Sequence, residues 1–126
     1  MPPKYSDRRA GECPFCVRMD EPSDLPRNDH AVSILDAFPR APGHILIVPV
    51  CHVGDYFKLR PRVQAAIFEL APAVRAWQKQ RYRPTGWTLR INAGLSAGQS
   101  VEHAHMHVLP SYGDDPYDSF KHQENS

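Results

Sequence analysis

Apolar residues recur along the middle of the chain at Val63, Ala66, Ile67, Leu70, Val74 and Trp77, the spacing of one face of an α-helix. Pro61 suits the first turn of that helix. Pro72 falls within the pattern and predicts a kink or a division, because it lacks an N–H and crowds the preceding turn. Elsewhere the pattern is that of strands. Residues 30–36 read as one, and the β-branched run at 44–48 as a second, buried on both faces. In 86–92, Trp87, Leu89 and Ile91 share one face, and Thr88, Arg90 and Asn92 the other. In 103–109, histidines alternate with Ala104, Met106 and Val108. Strands around one long helix predict an α+β fold with a mainly antiparallel sheet of about five strands. Turn-rich segments at 20–29, 37–43 and 93–100 separate these elements. The expected organisation is a flexible arm at 1–11, one domain at 12–110 and a polar tail at 111–126 carrying Tyr112, Tyr117 and Phe120.

The totals narrow the function classes. A length of 126 residues with 41% hydrophobic and 23% charged residues fits one globular domain. A net charge of +1 provides no basic field, so nucleic acid is not the expected partner. The apolar run at 45–50 is far too short to span a bilayer, and the Met1-Pro2-Pro3-Lys4 start does not read as a signal peptide. There are three cysteines, an odd number, and Cys13 and Cys16 form a C-x₂-C pair. That suits a reduced cytoplasmic thiol pair or a metal knuckle better than a disulfide framework.

The row His103, His105, His107 carries the chemistry. Side chains two apart on a strand share a face, so the three imidazoles are expected in line while Ala104, Met106 and Val108 pack behind them. One reading is a zinc hydrolase with all three as ligands. Positions two apart are about 6.6 Å apart, and the row spans about 13 Å, too far for one ion at ~2.1 Å without a bend or bulge. The other reading is nucleophilic catalysis. A neutral imidazole whose N–H is held by a carbonyl aims its second nitrogen outward, and that nitrogen can attack phosphorus. Gly94 and Gly98 allow backbone N–H groups to approach an anion, and Asn92, Gln99 and Ser100 add neutral donors. His30 and His122 read as surface residues, and Trp77 as core.

At these residues the chain resembles the histidine triad (HIT) family of nucleotide hydrolases and transferases. The family motif alternates three histidines with apolar residues, and His103 to Leu109 satisfies every position. Gly98-Gln99-Ser100-Val101 and Asn92-Ala93-Gly94 match as well, as do Asp36 and the segment Pro42-Gly43-His44 to Pro49. The resemblance implies that His105 is the nucleophile attacking an α-phosphate and that His107 binds that phosphate. It implies phosphate or leaving-group contacts for Gln99, Ser100 and Asn92, and ribose contacts for Asp36. Ile34 and Phe38 are candidates for the base slot, with plain core packing as the alternative. His44 has no assigned role.

Zinc-binding bacterial members of the family complete a Cys₂His₂ site from distant positions. The resemblance implies structural zinc on Cys13, Cys16, His52 and His103, with Cys51 as the alternative to His52. It also implies a homodimer. The expected activity is cleavage at the α-phosphate of a nucleoside phosphoramidate, adenylate or dinucleoside polyphosphate, by a hydrolase or a phosphorylase. The alternative is a nucleotide-binding sensor or interaction module with little turnover.

Overall fold

Four segments rich in β-branched and apolar residues pair into one sheet: β1 (Ala31–Leu35), β2 (Ile45–Pro49), β3 (Gly86–Arg90) and β4 (Met106–Ser111). The computed structural model describes residues 13–113. The expected arm at 1–11, and the tail beyond 113 with Tyr117, Phe120 and His122, lie outside the described residues. The strand order is β1-β2-β4-β3, and every pairing is antiparallel. Among the described residues the sheet has four strands rather than about five. The stretch before β1, interrupted by Pro22 and Pro26, contributes only an isolated bridge between Arg27 and Val32.

The periodic helix is α2, Pro61–Tyr82, which starts on Pro61 and ends at Arg83 in the left-handed conformation. Pro72 does not divide it. Phe68, whose carbonyl lacks its helical donor at Pro72, and Pro72 itself lie on the exposed face, where water can satisfy that carbonyl. The inward face buries Val63, Ala66, Ile67, Leu70 and Val74 as the spacing predicts. In the last turn the fully buried position is Gln78, while Trp77 packs at the margin of the core.

The sheet separates two apolar clusters. On the helix side, Ala31, Ile45, Ile47, Met106 and Val108 meet α2. Ile45, Ile47 and Ile67 are fully buried there, each contributing about 1.5–3 kcal/mol. On the other side, Val32, Ile34, Leu46 and Val48 pack against Cys13, Phe15 and Cys16 of a short helix, α1 (Pro14–Met19). α1 is not evident from the sequence; Pro14 opens it, and Cys13 Sγ accepts the Cys16 N–H at 3.4 Å in place of a usual capping oxygen.

The histidine row departs from the expected continuous strand. The ladder of β4 begins only at Met106, because the preceding backbone is bonded elsewhere: His103 N–H to Val101 O at 2.8 Å and Ala104 N–H to Val53 O at 2.8 Å. The alternation of faces survives. Ala104, Met106 and Val108 lie in the helix-side cluster, and Phe15 of the opposite cluster meets the rings of His103 and His105 edge-on. β4 runs through Pro110 to Ser111.

Candidate functional site

The three triad rings have three different sets of partners. His103 is fully buried and joins Cys13, Cys16 and His52, whose ligand atoms all lie within 4.8 Å of one another. His103 Nδ1 is 3.4 Å from Cys13 Sγ, 3.6 Å from Cys16 Sγ and 3.2 Å from His52 Nδ1, and Cys16 Sγ is 3.3 Å from His52 Nδ1. A tetrahedral ion with Zn–S ~2.3 Å and Zn–N ~2.1 Å needs edges of about 3.4–3.6 Å between such atoms. The proton inventory agrees: His103 Nε2 lies 3.0 Å from Pro49 O and donates there, which leaves Nδ1 a lone pair facing the thiols. Cys51 packs instead at the edge of the helix-side core, so His52 is the fourth member. These residues fit a closed zinc site.

His105, just ahead of the β4 ladder, has its Nδ1 at 2.8 Å from the carbonyl of His103. The carbonyl takes the N–H, so Nε2 carries the lone pair, which is the tautomer a nucleophile requires. Its ring packs against that of His107 at 5.1 Å. His107 lies 3.0 Å, Nδ1 to Nε2, from His44, and His44 Nε2 lies 3.5 Å from Asp36 Oδ2. Asp36 and His44 meet because the 37–43 loop is closed by Asp36 N–H donating to His44 O at 3.0 Å. The loop turns at Gly43, φ +82°, where a Cβ would sit 2.7 Å from the Tyr82 ring.

Asp36, His44 and His107 also form a potential metal triad by proximity. Their hydrogen bonds argue against it. The Arg40 N–H donates to His44 Nδ1 at 3.2 Å, so the proton of His44 is on Nε2, the atom an ion would need bare. His44 Nε2–H then donates to His107 Nδ1, which leaves the proton of His107 on Nε2, available to an anion. Burial lowers the pKa of all three free imidazoles. For His105 the His103 carbonyl partly offsets this. For His44 the Asp36 carboxylate does so. His107 falls to about 4, through burial first and then the neighbouring His105 and Arg90 charges. At neutral pH these three imidazoles are uncharged donors and acceptors.

The expected phosphate loop is present, with its groups used unevenly. Gln99 is buried, and its amide is engaged inward: Nε2 donates to Gly54 O at 2.6 Å and Val101 O at 2.8 Å, and Oε1 accepts from Gly94 N–H at 2.8 Å. It braces the loop rather than facing outward. Ser100 is exposed at the loop's end. Asn92 Nδ2 donates to Ala97 O at 2.8 Å, and its Oδ1 accepts from Arg90 Nε at 3.1 Å. Asp36 Oδ1 accepts the Phe38 N–H at 2.9 Å, so the carboxylate is held in a turn. Ile34 is buried in the α1-side cluster, whereas the Phe38 ring is 88% exposed.

Sequence reasoning left His44 without a role, yet it fixes the tautomer of His107. The signal was a histidine directly before a run buried on both faces, where a polar side chain needs a partner. Gln78 was also missed. Its Nε2 donates to Gly43 O and Val108 O, both at 2.9 Å, and its Oε1 accepts from Trp87 Nε1 at 2.9 Å. Those carbonyls adjoin His44 and His107.

A family model described as the HIT domain matches residues 23–114. An uncharacterised HIT-like protein of Mycoplasma pneumoniae is 41% identical over 85 residues, covering 68% of this chain and 59% of that protein. The chain therefore spans less than two thirds of that relative's length. An adenylylsulfatase of Arabidopsis thaliana is 31% identical over 79% of this chain and 52% of its own. An AP-4-A phosphorylase of Mycobacterium tuberculosis is 33% identical over 66% of this chain and 43% of its own. Among solved structures, a HIT family protein from Bacillus anthracis superposes with a TM-score of 0.74 at 34% identity, covering 83% of this chain and 77% of that one. A zinc-bound histidine triad protein from Mycobacterium smegmatis gives 0.72 at 28% identity, covering 83% and 78%.

Proposed function

Because the chain belongs to the HIT domain family, we propose that it is a nucleotide hydrolase or transferase that cleaves at the α-phosphate through a nucleotidyl-His105 intermediate. The observation that carries this reading is the paired tautomers: His105 with Nε2 bare and His107 with Nε2 protonated, side by side. The ribose hydroxyls are taken by Asp36, and the base lies against Ile34 and Phe38. His105 Nε2 attacks the α-phosphorus while the bond to the leaving group breaks, and the leaving group departs with that electron pair and takes up a proton. The positive charge that develops on the His105 ring is shared with the His103 carbonyl through Nδ1–H. His107 Nε2–H and the Ser100 hydroxyl donate to the phosphoryl oxygens, and Gln99 and Asn92 hold the loop that presents Ser100. Water, or phosphate in a phosphorylase, then displaces His105 and releases the nucleotide. Relatives named adenylylsulfatase and AP-4-A phosphorylase support this reaction class.

Zinc on Cys13, Cys16, His52 and His103 would supply a structural cross-link and no reacting group, since all four positions are protein ligands. We further propose a cytoplasmic homodimer that engages neither nucleic acid nor a membrane; among the described residues no helix is long and apolar enough to cross one. The test is His105→Ala assayed against adenosine 5′-phosphoramidate, an adenylate and diadenosine tetraphosphate. Turnover should fall at least ~10³-fold while AMP binding remains measurable. Near-normal turnover in that variant sinks the nucleophile assignment. A wild-type protein that binds AMP and turns over none of the panel is the nucleotide-binding module instead.

A further inference from the structure

A row of side chains crosses the sheet obliquely, from Asp36 and His44 at one edge of the site to the His107–Arg90 pair. Asp36 follows β1, His44 precedes β2, His107 lies on β4, and Arg90 of β3 is the direct cross-strand partner of His107. Paired residues project on the same face, with Cβ atoms about 4.5–5.5 Å apart. Leu46 is the β2 partner of His107, and the His44 ring, two residues before it, reaches His107 diagonally at 3.0 Å, so the order of side chains is carboxylate, imidazole, imidazole, guanidinium. Among the described residues, the Arg90 side chain makes one hydrogen bond, Nε to Asn92 Oδ1, and no ion pair. Arg75 and Arg81 are occupied differently, stacked at 4.4 Å over Trp87 and Trp77. Arg90 is half-buried, so its charge is less screened than that of a surface arginine. Between it and the Asp36 carboxylate stand the rings of His107 and His44, so the carboxylate lies at the far end of the row and makes no ion pair with Arg90.

From this row we propose that Arg90 is a specificity-determining residue that binds a second anionic group beyond the α-phosphate, so that the preferred substrates carry an anionic leaving group, a phosphate chain or a sulfate, rather than a neutral amine. The inference rests on the nucleotide reading above. A nucleoside 5′-phosphate laid with its ribose on Asp36 and its α-phosphate at His107 directs the next group towards β3, where Arg90 stands. The Arg90 bond to Asn92 uses Nε, and the outer guanidinium nitrogens keep the fork that suits a phosphate or sulfate edge.

The test measures binding of AMP, ADP and adenosine 5′-phosphosulfate to the full chain carrying His105→Asn, which prevents turnover, with and without Arg90→Gln, Arg90→Met or Arg90→Lys. With Arg90 present, ADP and the phosphosulfate should bind at least about tenfold more tightly than AMP. Arg90→Gln and Arg90→Met should bring those ratios close to one, and Arg90→Lys should restore part of them. Loss confined to ADP identifies a phosphate chain, and loss confined to the phosphosulfate identifies a sulfate. Equal loss for all three ligands overturns the proposal, since Arg90 then serves the α-phosphate or the fold. Unchanged ratios overturn it as well. If AMP itself does not bind when Arg90 is present, the nucleotide reading fails, and this inference fails with it.

Discussion

At the scale of single residues, the site depends on where four imidazoles keep their protons. His107 illustrates the cost of that arrangement. Its pKa is lowered to about 4 in the folded chain, against an unperturbed value of about 6.5. The unfolded chain therefore binds a proton more readily between those values. The stabilisation from neutral His107 is complete above about pH 6.5 and is lost as pH falls towards about 4, up to about 3 kcal/mol. Urea unfolding across that window should show the decline, and His107→Asn should flatten its slope. An unchanged slope in the variant would place the titration elsewhere. The three triad positions and the Cys pair were legible in the sequence because alternation and C-x₂-C are local patterns. The roles of His44 and Gln99 were not, because they follow from partners in Arg40, Gly54 and Gly94 that only the folded chain brings close.

At the scale of elements, α2 and β4 each combine a legible pattern with a hidden one. The stripe from Val63 to Val74 was read correctly, and Pro72 proved compatible with a continuous helix because it faces solvent. Gln78 was hidden, since a polar residue four positions beyond Val74 reads as the end of a stripe rather than its continuation. It clips α2 to the carbonyls beside His44 and His107 and to Trp87 of β3. Gln78→Met keeps the volume but strands those carbonyls and the indole N–H. The expected loss is at least about 2 kcal/mol in chemical denaturation, with reduced turnover as the His44–His107 contact loosens. A stability within about 0.5 kcal/mol of the parent would show that water replaces the clip. The late start of β4 was equally hidden, because the bonds of His103 and Ala104 run to Val101 and Val53 rather than along a ladder.

At the scale of the whole molecule, the sheet is packed on α2 on one side and on the small cluster around α1 on the other, so the second side is the weaker. Zinc is expected to secure it by joining α1, the segment after β2 and the segment before β4 through Cys13, Cys16, His52 and His103. A tight chelator should lower the melting temperature by at least about 10 °C and release one zinc per chain, with activity lost in step with unfolding. Metal analysis finding no zinc, together with an unmoved melting temperature, would count against the metal site. The split of β4 between a core face and a site face has a further consequence for how such a chain can change over generations. Inserting or deleting one residue between the anchored loop and Met106 would carry Ala104, Met106 and Val108 into the site and the imidazoles into the apolar core. Length variation is therefore expected in the turns at 37–43 and 20–29, and the spacing from Gln99 to Val108 should tolerate substitution but not a shift of frame.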